Sequence, residues 1–266
     1  MEKIDIKELR VIQIELLDFF ADFCDKHGLK YWLDCGTMLG AVRHKGFIPW
    51  DDDIDLGMPR EDYNKFIELF EGENINPNFS FHSFETDGGS WHLPFGKLFK
   101  AGTLLKQDGY NLEINVDIFP YDEAPDTFEG ANKTYKKCDF LKKLNFLQSP
   151  RHNNNGNIIK RTVLGTLKFF LRFFPKHYFI RLIEKSAKSN NNRGYTKMSN
   201  FCCGISMHPT AIKNVDRLID GEFEGKLYKI PEGYADFLTC LYGADYMTPP
   251  PEGKRNMHSF EAFILK

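Results

Sequence analysis

Four aspartates crowd into five residues of the stretch PWDDDIDLGM: Asp51, Asp52, Asp53 and Asp55. Two like unit charges ~4 Å apart at an effective dielectric of about 20 repel by roughly 4 kcal/mol. Such a cluster either lies in water or is held by something positive. Along a strand, side chains alternate between faces. If a strand extends back far enough, Asp51, Asp53 and Asp55 share one face, while Ile54, Leu56 and Met58 turn to a core on the other. The carboxylate face then offers hard oxygen ligands of the kind Mg²⁺ prefers, with substrate phosphates completing the shell. A further acid, Asp117, lies between Val116 and Ile118 in INVDIFP. It completes an Asp-x-Asp pair plus one distant Asp.

Two plainer readings compete. A solvated acidic turn is one, although Trp50, Ile54 and Leu56 weigh against it. The other is a calcium loop opening at Asp51, with Asp53, Asp55 and Asp62 as further ligands. Its sixth position needs a sharply turning glycine and is Leu56 here.

Positioning these acids requires ordered elements on both sides. Residues 5 to 26 place Leu9, Ile12, Leu16, Phe19, Phe20 and Phe23 at helical spacing, and Gly28 supplies a stop. LKYWLDCG predicts a short strand running into a glycine turn. TMLGAVRHK predicts a short helix from Thr37, DIDLGM a half-buried strand, and REDYNKFIELFEG an amphipathic helix closed by Gly72. Strand-like runs fill 79 to 119, separated by Gly, Asn and Asp. Residues 128–147 and 157–188 predict helices, the second broken near Pro175. PEGYADFLTCLYG predicts a helix with Pro231 near its start and Gly243 as its stop. The order fits an α+β fold: a mixed sheet flanked by helices, then a mostly helical second half. Three parts are expected: a core over 1–125, a helical insertion over 126–195, and a C-terminal part over 196–266 completing the site.

Composition narrows the function. Of 266 residues, 25 are Phe, ample for a buried core. The net charge of −2 gives no basic field for nucleic acid. Six scattered cysteines form no CxxC pair, and even the vicinal Cys202-Cys203 is expected to pack as ordinary thiols. MEKIDIKELR has no apolar signal core, which predicts a cytoplasmic protein. Residues 163–185 mix Phe and Leu with Lys168, Arg172, Lys176, Arg181 and Lys185. Such a segment is either a core helix with a solvated basic side or a peripheral contact with the inner face of a membrane.

The stretch YWLDCGTMLGAVRHKGFIPWDDDIDLGMPREDY, residues 31 to 63, closely resembles the LicD family of phosphotransferases, related to fukutin and fukutin-related protein. YGADYMTPPPEGKRNMH, residues 242 to 258, resembles that family's C-terminal region. The resemblance implies a nucleotidyltransferase fold with a Gly36-Thr37 turn, the Asp53/Asp55 pair and Asp117 as the later strand acid. It implies Mg²⁺, or alternatively Mn²⁺, held by those three aspartates. It further implies a CDP-activated donor such as CDP-choline. The acceptor is a hydroxyl of a glycan or lipid-linked glycan, a teichoic acid or lipopolysaccharide precursor, and CMP is released. Gly36 and Thr37 would hold phosphate oxygens at a helix start. Arg43, Lys97, Arg255 and His258 would assist with phosphate charge, and Asp51 or Asp117 would take the acceptor proton. His44 and Lys45 read as scaffold or rim. Trp91 and Tyr31 are candidates to contact a quaternary ammonium, although Tyr31, in a strand, reads first as a core residue. An Asp-x-Asp glycosyltransferase and an inactive nucleotide-binding protein on the same fold are the alternatives.

Overall fold

In the computed structural model, residues 1–87, 91–107, 110–148, 158–202, 211–213, 217–255 and 260–265 are described. The chain opens with strand β1 (Glu2–Ile4) and helix α1 (Ile6–His27). Asp5 caps α1 by accepting from the Lys7 and Glu8 N–H groups at 2.8 and 3.0 Å, and Glu8 returns a bond to the Asp5 N–H. Gly28, at φ 64°, ends the helix in the left-handed conformation. Then follow β2 (Trp32–Leu33), α2 (Cys35–His44), β3 (Asp55–Pro59) and α3 (Arg60–Gly72). Three strands come next: β4 (Phe79–His82), β5 (Gly96–Gln107) and β6 (Tyr110–Ala124). The helices α4 (Phe128–Gln148), α5 (Ile158–Leu171) and α6 (Tyr178–Ala187) lead to β7 (Lys197–Ser199) and β8 (Ala211–Lys213). A hairpin, β9 (Leu218–Phe223) and β10 (Lys226–Pro231), precedes α7 (Tyr234–Tyr242) and β11 (Phe260–Ile264).

The main sheet runs β1-β11-β5-β6-β3-β2, with β4 added on β5 and β7 joining β6 to β8. It is mixed: β3 lies parallel to β6, and the other pairings are antiparallel. The expected α+β class, a mixed sheet flanked by helices, is what the chain adopts. Pro175 separates α5 from α6 as its missing N–H and ring require. Pro231, in contrast, closes β10 instead of opening α7, where Gly233 takes the cap position.

The register matters most where β3, β6 and β5 meet. Asp55 pairs with Asp117, and Asp117 pairs with Lys97 on the far side. In-register neighbours share a sheet face, so the three side chains form one row. The opposite face is apolar: Ile54, Leu56, Met58, Val116 and Ile118 are all buried. Gly57 lies across from Trp32, and a Cβ there would come within 2.3 Å of the indole nitrogen. Only glycine lets the indole lie over that strand.

A second apolar cluster joins α4, α5 and α6 through Tyr135, Leu141, Leu171, Phe179 and Ile183. A buried ionic network ties it to the sheet. Arg60 donates to Asp122 on β6 at 2.7 and 3.0 Å and to Glu184 on α6 at 3.1 and 3.3 Å. Both carboxylates raise the Arg60 pKa against the opposing effect of burial, so it stays charged. Replacing Arg60 with Ala strands Asp122 and Glu184 without that charge. The expected loss is about 3–5 kcal/mol of unfolding free energy, read as a lower urea midpoint with an unchanged slope.

Candidate active site

The acidic stretch is a loop up to Ile54; the strand begins at Asp55. This corrects the expectation that Asp51, Asp53 and Asp55 share a strand face. The loop is set by side chains reaching in from other elements. Arg10 of α1 donates to the carbonyls of Ile48, Pro49 and Asp51 at 3.0, 3.2 and 2.7 Å and lies over the Phe47 ring. Gln13 donates to the Asp52 carbonyl at 2.8 Å, and Gln107 to the Asp52 carboxylate at 2.9 Å. Thr37 on α2 accepts the Asp55 N–H at 2.8 Å, while Asp55 and Ile54 give their carbonyls to Asp34 and Asp117. Packed this way, Asp52 is only 6% exposed and Asp55 only 9%. A calcium loop does not fit, since β3 starts at Asp55 and Asp62 lies on α3, and a wholly solvated turn does not either, since of the four aspartates only Asp53 is exposed.

Asp51, Asp52 and Asp53 bring carboxylate oxygens within 4.8 Å of one another. Their charges reach the sheet acids as well. Burial raises the Asp55 pKa, and Asp53, Asp117, Asp34 and Asp51 raise it further. Asp51 is pushed to about 8 by burial, then by Asp53 and Asp52, with Arg10 opposing. Asp117 is raised by burial and by Asp53, against the lowering effect of Lys97. The charge of Asp53 thus acts on both Asp55 and Asp117. Hard oxygens that repel one another in a partly dry pocket are the donor set a divalent cation fits. Among the described residues, the acids whose oxygens lie close enough to share one ion are Asp51, Asp52 and Asp53, and the Asp55–Asp117 pair lies on the neighbouring strands.

Helix α2 begins two residues earlier than predicted, at Cys35, because Asp34 caps it. Gly36 and Thr37 thus belong to its first turn, where N–H groups have no helical acceptor. A Cβ on Gly36 would stand 2.8 Å from the Asp51 carboxylate, so the missing side chain makes room for that acid. Asp34 is itself buried, accepts from the Tyr121 hydroxyl at 2.8 and 2.9 Å, and has its pKa raised to about 6 by burial.

The predicted cations fall in two places. Lys97 is ion-paired with Asp117 and donates to Asn115 at 2.9 Å. Arg43 and Arg255 meet instead on Trp50, their guanidinium carbons 6.0 and 4.5 Å from its ring centre. Arg43 also donates to the Tyr246 carbonyl at 2.6 Å, and burial lowers its pKa. His44 sits against the Trp50 edge, and Lys45 ends α2 at φ 60°, which suits scaffold and rim. His258 lies outside the described residues. Tyr31 is buried edge-on to Phe20, the core position expected of it, and not an ammonium contact. Trp91 gives its indole N–H to the Phe95 carbonyl and stacks on His82.

Several residues of this site escape the sequence motifs. Asp34 sits directly before Cys35-Gly36, the place of a helix cap. Gln13 occupies a buried position in the apolar series Leu9, Leu16, Phe20, and a lone polar residue on such a face is its signal. Tyr242 ends α7, and desolvation, then Cys35, Asp55, Asp51 and Asp34, raise its hydroxyl pKa.

The family model described as LicD/FKTN/FKRP, nucleotidyltransferase domain, matches residues 28–166, a span that includes every one of these aspartates. The chain belongs to the LicD family. Along its whole length it is 30% identical to the lipopolysaccharide cholinephosphotransferase LicD of Haemophilus influenzae, covering all of both chains. It is 31% identical over 129 residues to the human ribitol-5-phosphate transferase FKTN, which is 48% of this chain and 25% of that protein. Over 94 residues it is 57% identical to the mouse ribitol 5-phosphate transferase FKRP, 35% of this chain and 17% of that one. It is accordingly a LicD-type phosphotransferase, and its likeness to each of these two mammalian transferases covers less than half of this chain.

The raised acids make a pH prediction for the cation-free LicD-family chain. Folded Asp51 binds a proton up to about pH 8, whereas the unfolded carboxyl releases it near 3.8. Between those values the folded state holds the extra proton, so its stability declines as pH rises through the window. In chelator, Asp51→Asn is expected to flatten this decline in urea midpoints taken across the range. An unchanged slope would show that Asp51 is not the titrating group.

Proposed function

We propose that this chain is a metal-dependent transferase that moves a phosphorylated alcohol, phosphocholine first, from a CDP-activated donor to a hydroxyl of a cell-surface glycan, teichoic acid or lipopolysaccharide precursor. The observation that carries the proposal is the acid set itself: Asp53 beside the Asp55–Asp117 row, with Asp55 and Asp117 holding raised pKa values. The full-length likeness to a lipopolysaccharide cholinephosphotransferase supports phosphocholine as the group moved.

In this reading the acceptor oxygen bonds to the phosphorus that carries the alcohol, the bond from that phosphorus to the bridging oxygen breaks, and CMP leaves. A bound Mg²⁺ or Mn²⁺ supplies neutralisation of the diphosphate and of the charge on departing CMP. Asp53, Asp55 and Asp117 would hold that ion. Asp51, beside that set, takes the acceptor proton; Asp117 is less suited because Lys97 already pairs with it. The Gly36 and Thr37 N–H groups at the α2 start, with Lys97, Arg43, Arg255 and His258, meet the donor's phosphates.

The test is a panel of CDP-choline, CDP-ethanolamine, CDP-glycerol and CDP-ribitol with Mg²⁺ and a glycan acceptor, following CMP. Asp53→Asn and Asp55→Asn should each lower CMP release by about a hundredfold or more while leaving the far-ultraviolet spectrum and urea midpoint near wild type. Wild-type turnover in either variant removes the metal assignment. Release from a nucleotide sugar but from no CDP-alcohol would establish the glycosyltransferase in its place.

A further inference from the structure

Helix α5 and the corner that follows it display aromatic side chains to solvent. Phe169, Phe170, Phe173 and Phe174 are 56, 58, 74 and 42% exposed, and Val163, two turns earlier, is 61% exposed. Single exposed apolar residues are ordinary; a contiguous group of rings is not. These rings touch one another: Phe169 lies 5.5 Å edge-on from Phe173 and 5.8 Å from Phe170. The arrangement is held from behind. Leu171 is buried against α4 and α6, Leu167 packs on the same cluster, and Gln148 of α4 donates to the carbonyls of Leu171 and Phe174 at 3.2 Å. The helix is therefore docked by one face, and its other face carries the phenylalanines outward.

Charge says what covers them. From Phe140 to Ile183 the sequence holds nine Lys and Arg and no Asp or Glu. The whole chain carries −2, so the remainder is net acidic and the basic character is concentrated here. Arg172 and Lys176 are exposed among the rings, and Arg181 is exposed on α6. An anionic lipid surface matches both at once, with acyl chains for the rings and headgroup phosphates for the cations. Spanning is excluded by length: α5 has 14 residues, whereas a crossing needs about 20. No helix among the described residues is long and apolar enough to cross a membrane.

We propose that the α5–α6 corner is an interfacial anchor that lays Phe169, Phe170, Phe173 and Phe174 into an anionic lipid surface, with Arg172, Lys176 and Arg181 against the headgroups. The corner is rigidly joined to the sheet through Glu184–Arg60–Asp122, and Asp122 is five residues from Asp117 on β6. Lipid contact therefore fixes the orientation of the acidic site relative to the surface. The inference goes beyond the transfer reaction and does not depend on which donor is used.

Vesicle co-sedimentation of the full chain tests it, comparing phosphatidylcholine vesicles with vesicles that also contain phosphatidylglycerol. Wild type should bind the anionic vesicles and release from them in high salt. Phe169→Ser with Phe173→Ser should weaken binding about tenfold or more. Arg172→Glu with Lys176→Glu should weaken it about tenfold on anionic vesicles alone. Because all four side chains are exposed, these variants should keep the wild-type urea midpoint and the wild-type turnover of soluble substrates. A Phe173→Trp variant should be quenched by brominated lipid. Equal binding to both vesicle types, or binding unaffected by either double variant, overturns the proposal. So does an absence of vesicle binding together with a dimer that Phe169→Ser and Phe173→Ser dissociate, which would assign the face to a second copy of this chain. Donor turnover is scored separately, so failure of one proposal leaves the other standing.

Discussion

The parallel pairing of β3 with β6 fixes Asp55 opposite Asp117, and much of the site follows from that one register. A slip of one residue would turn Asp55 into the core and Leu56 into the pocket. The register is guarded on the apolar face by Leu56, Met58, Val116 and Ile118, and at Gly57 by the indole of Trp32, which admits no side chain. Backbone ladders and buried methyl groups thus hold together carboxylates that would otherwise push apart. The cost appears as raised proton affinity at Asp51, Asp55 and Asp117. A proton is what such a cluster takes up when no cation neutralises it.

Helix α1 shows how one element serves both sides of this balance. Leu9, Leu16, Leu17 and Phe20 anchor it in the main core, while Arg10 and Gln13 bind the carbonyls of Ile48, Pro49, Asp51 and Asp52. Satisfying carbonyls leaves the Asp51 and Asp53 carboxylates to face one another. Arg10 does lower the Asp51 pKa, yet less than burial and the neighbouring acids raise it. A loop tied by its backbone can keep a repulsive set of side chains in place without neutralising them.

Local rules carried the sequence far. Gly28 as a stop, Pro175 as a break, the amphipathic stretch from Arg60 to Gly72 and the α+β class all follow from period, cap and breaker chemistry. Asp117 stood out because an acid among β-formers must face away from its neighbours. What stayed hidden depends on partners far along the chain. The strand starts at Asp55 because Thr37, Asp34 and Asp117 take up the backbone there, and no pattern within DDDIDLGM encodes those partners. α2 starts at Cys35 because the Asp34 carboxylate turns inward to cap it, a contact that helical spacing from Thr37 onward does not show. Arg43 and Arg255 are 212 positions apart in the sequence, and their meeting on Trp50 is visible only in the fold.

That meeting bears on how acids and cations coexist in one site. Opposite charges placed freely in a pocket collapse into internal ion pairs, which would leave little charge of either sign for a ligand. Lys97 has done this with Asp117, so a cation entering there must compete with an ammonium. Arg43 has not, and Arg255 pairs with Glu252, outside the acid cluster. Among the described residues neither pairs with an aspartate of the cluster; Arg43 is held by the Tyr246 carbonyl and Arg255 by the Pro250 carbonyl, with Trp50 between them. A carbonyl and an aromatic face position a guanidinium while leaving its full charge in place. The acids keep their appetite for a cation and the arginines keep theirs for an anion. A metal-bound diphosphate presents both signs of charge at once, so a site that keeps its own charges apart is suited to it.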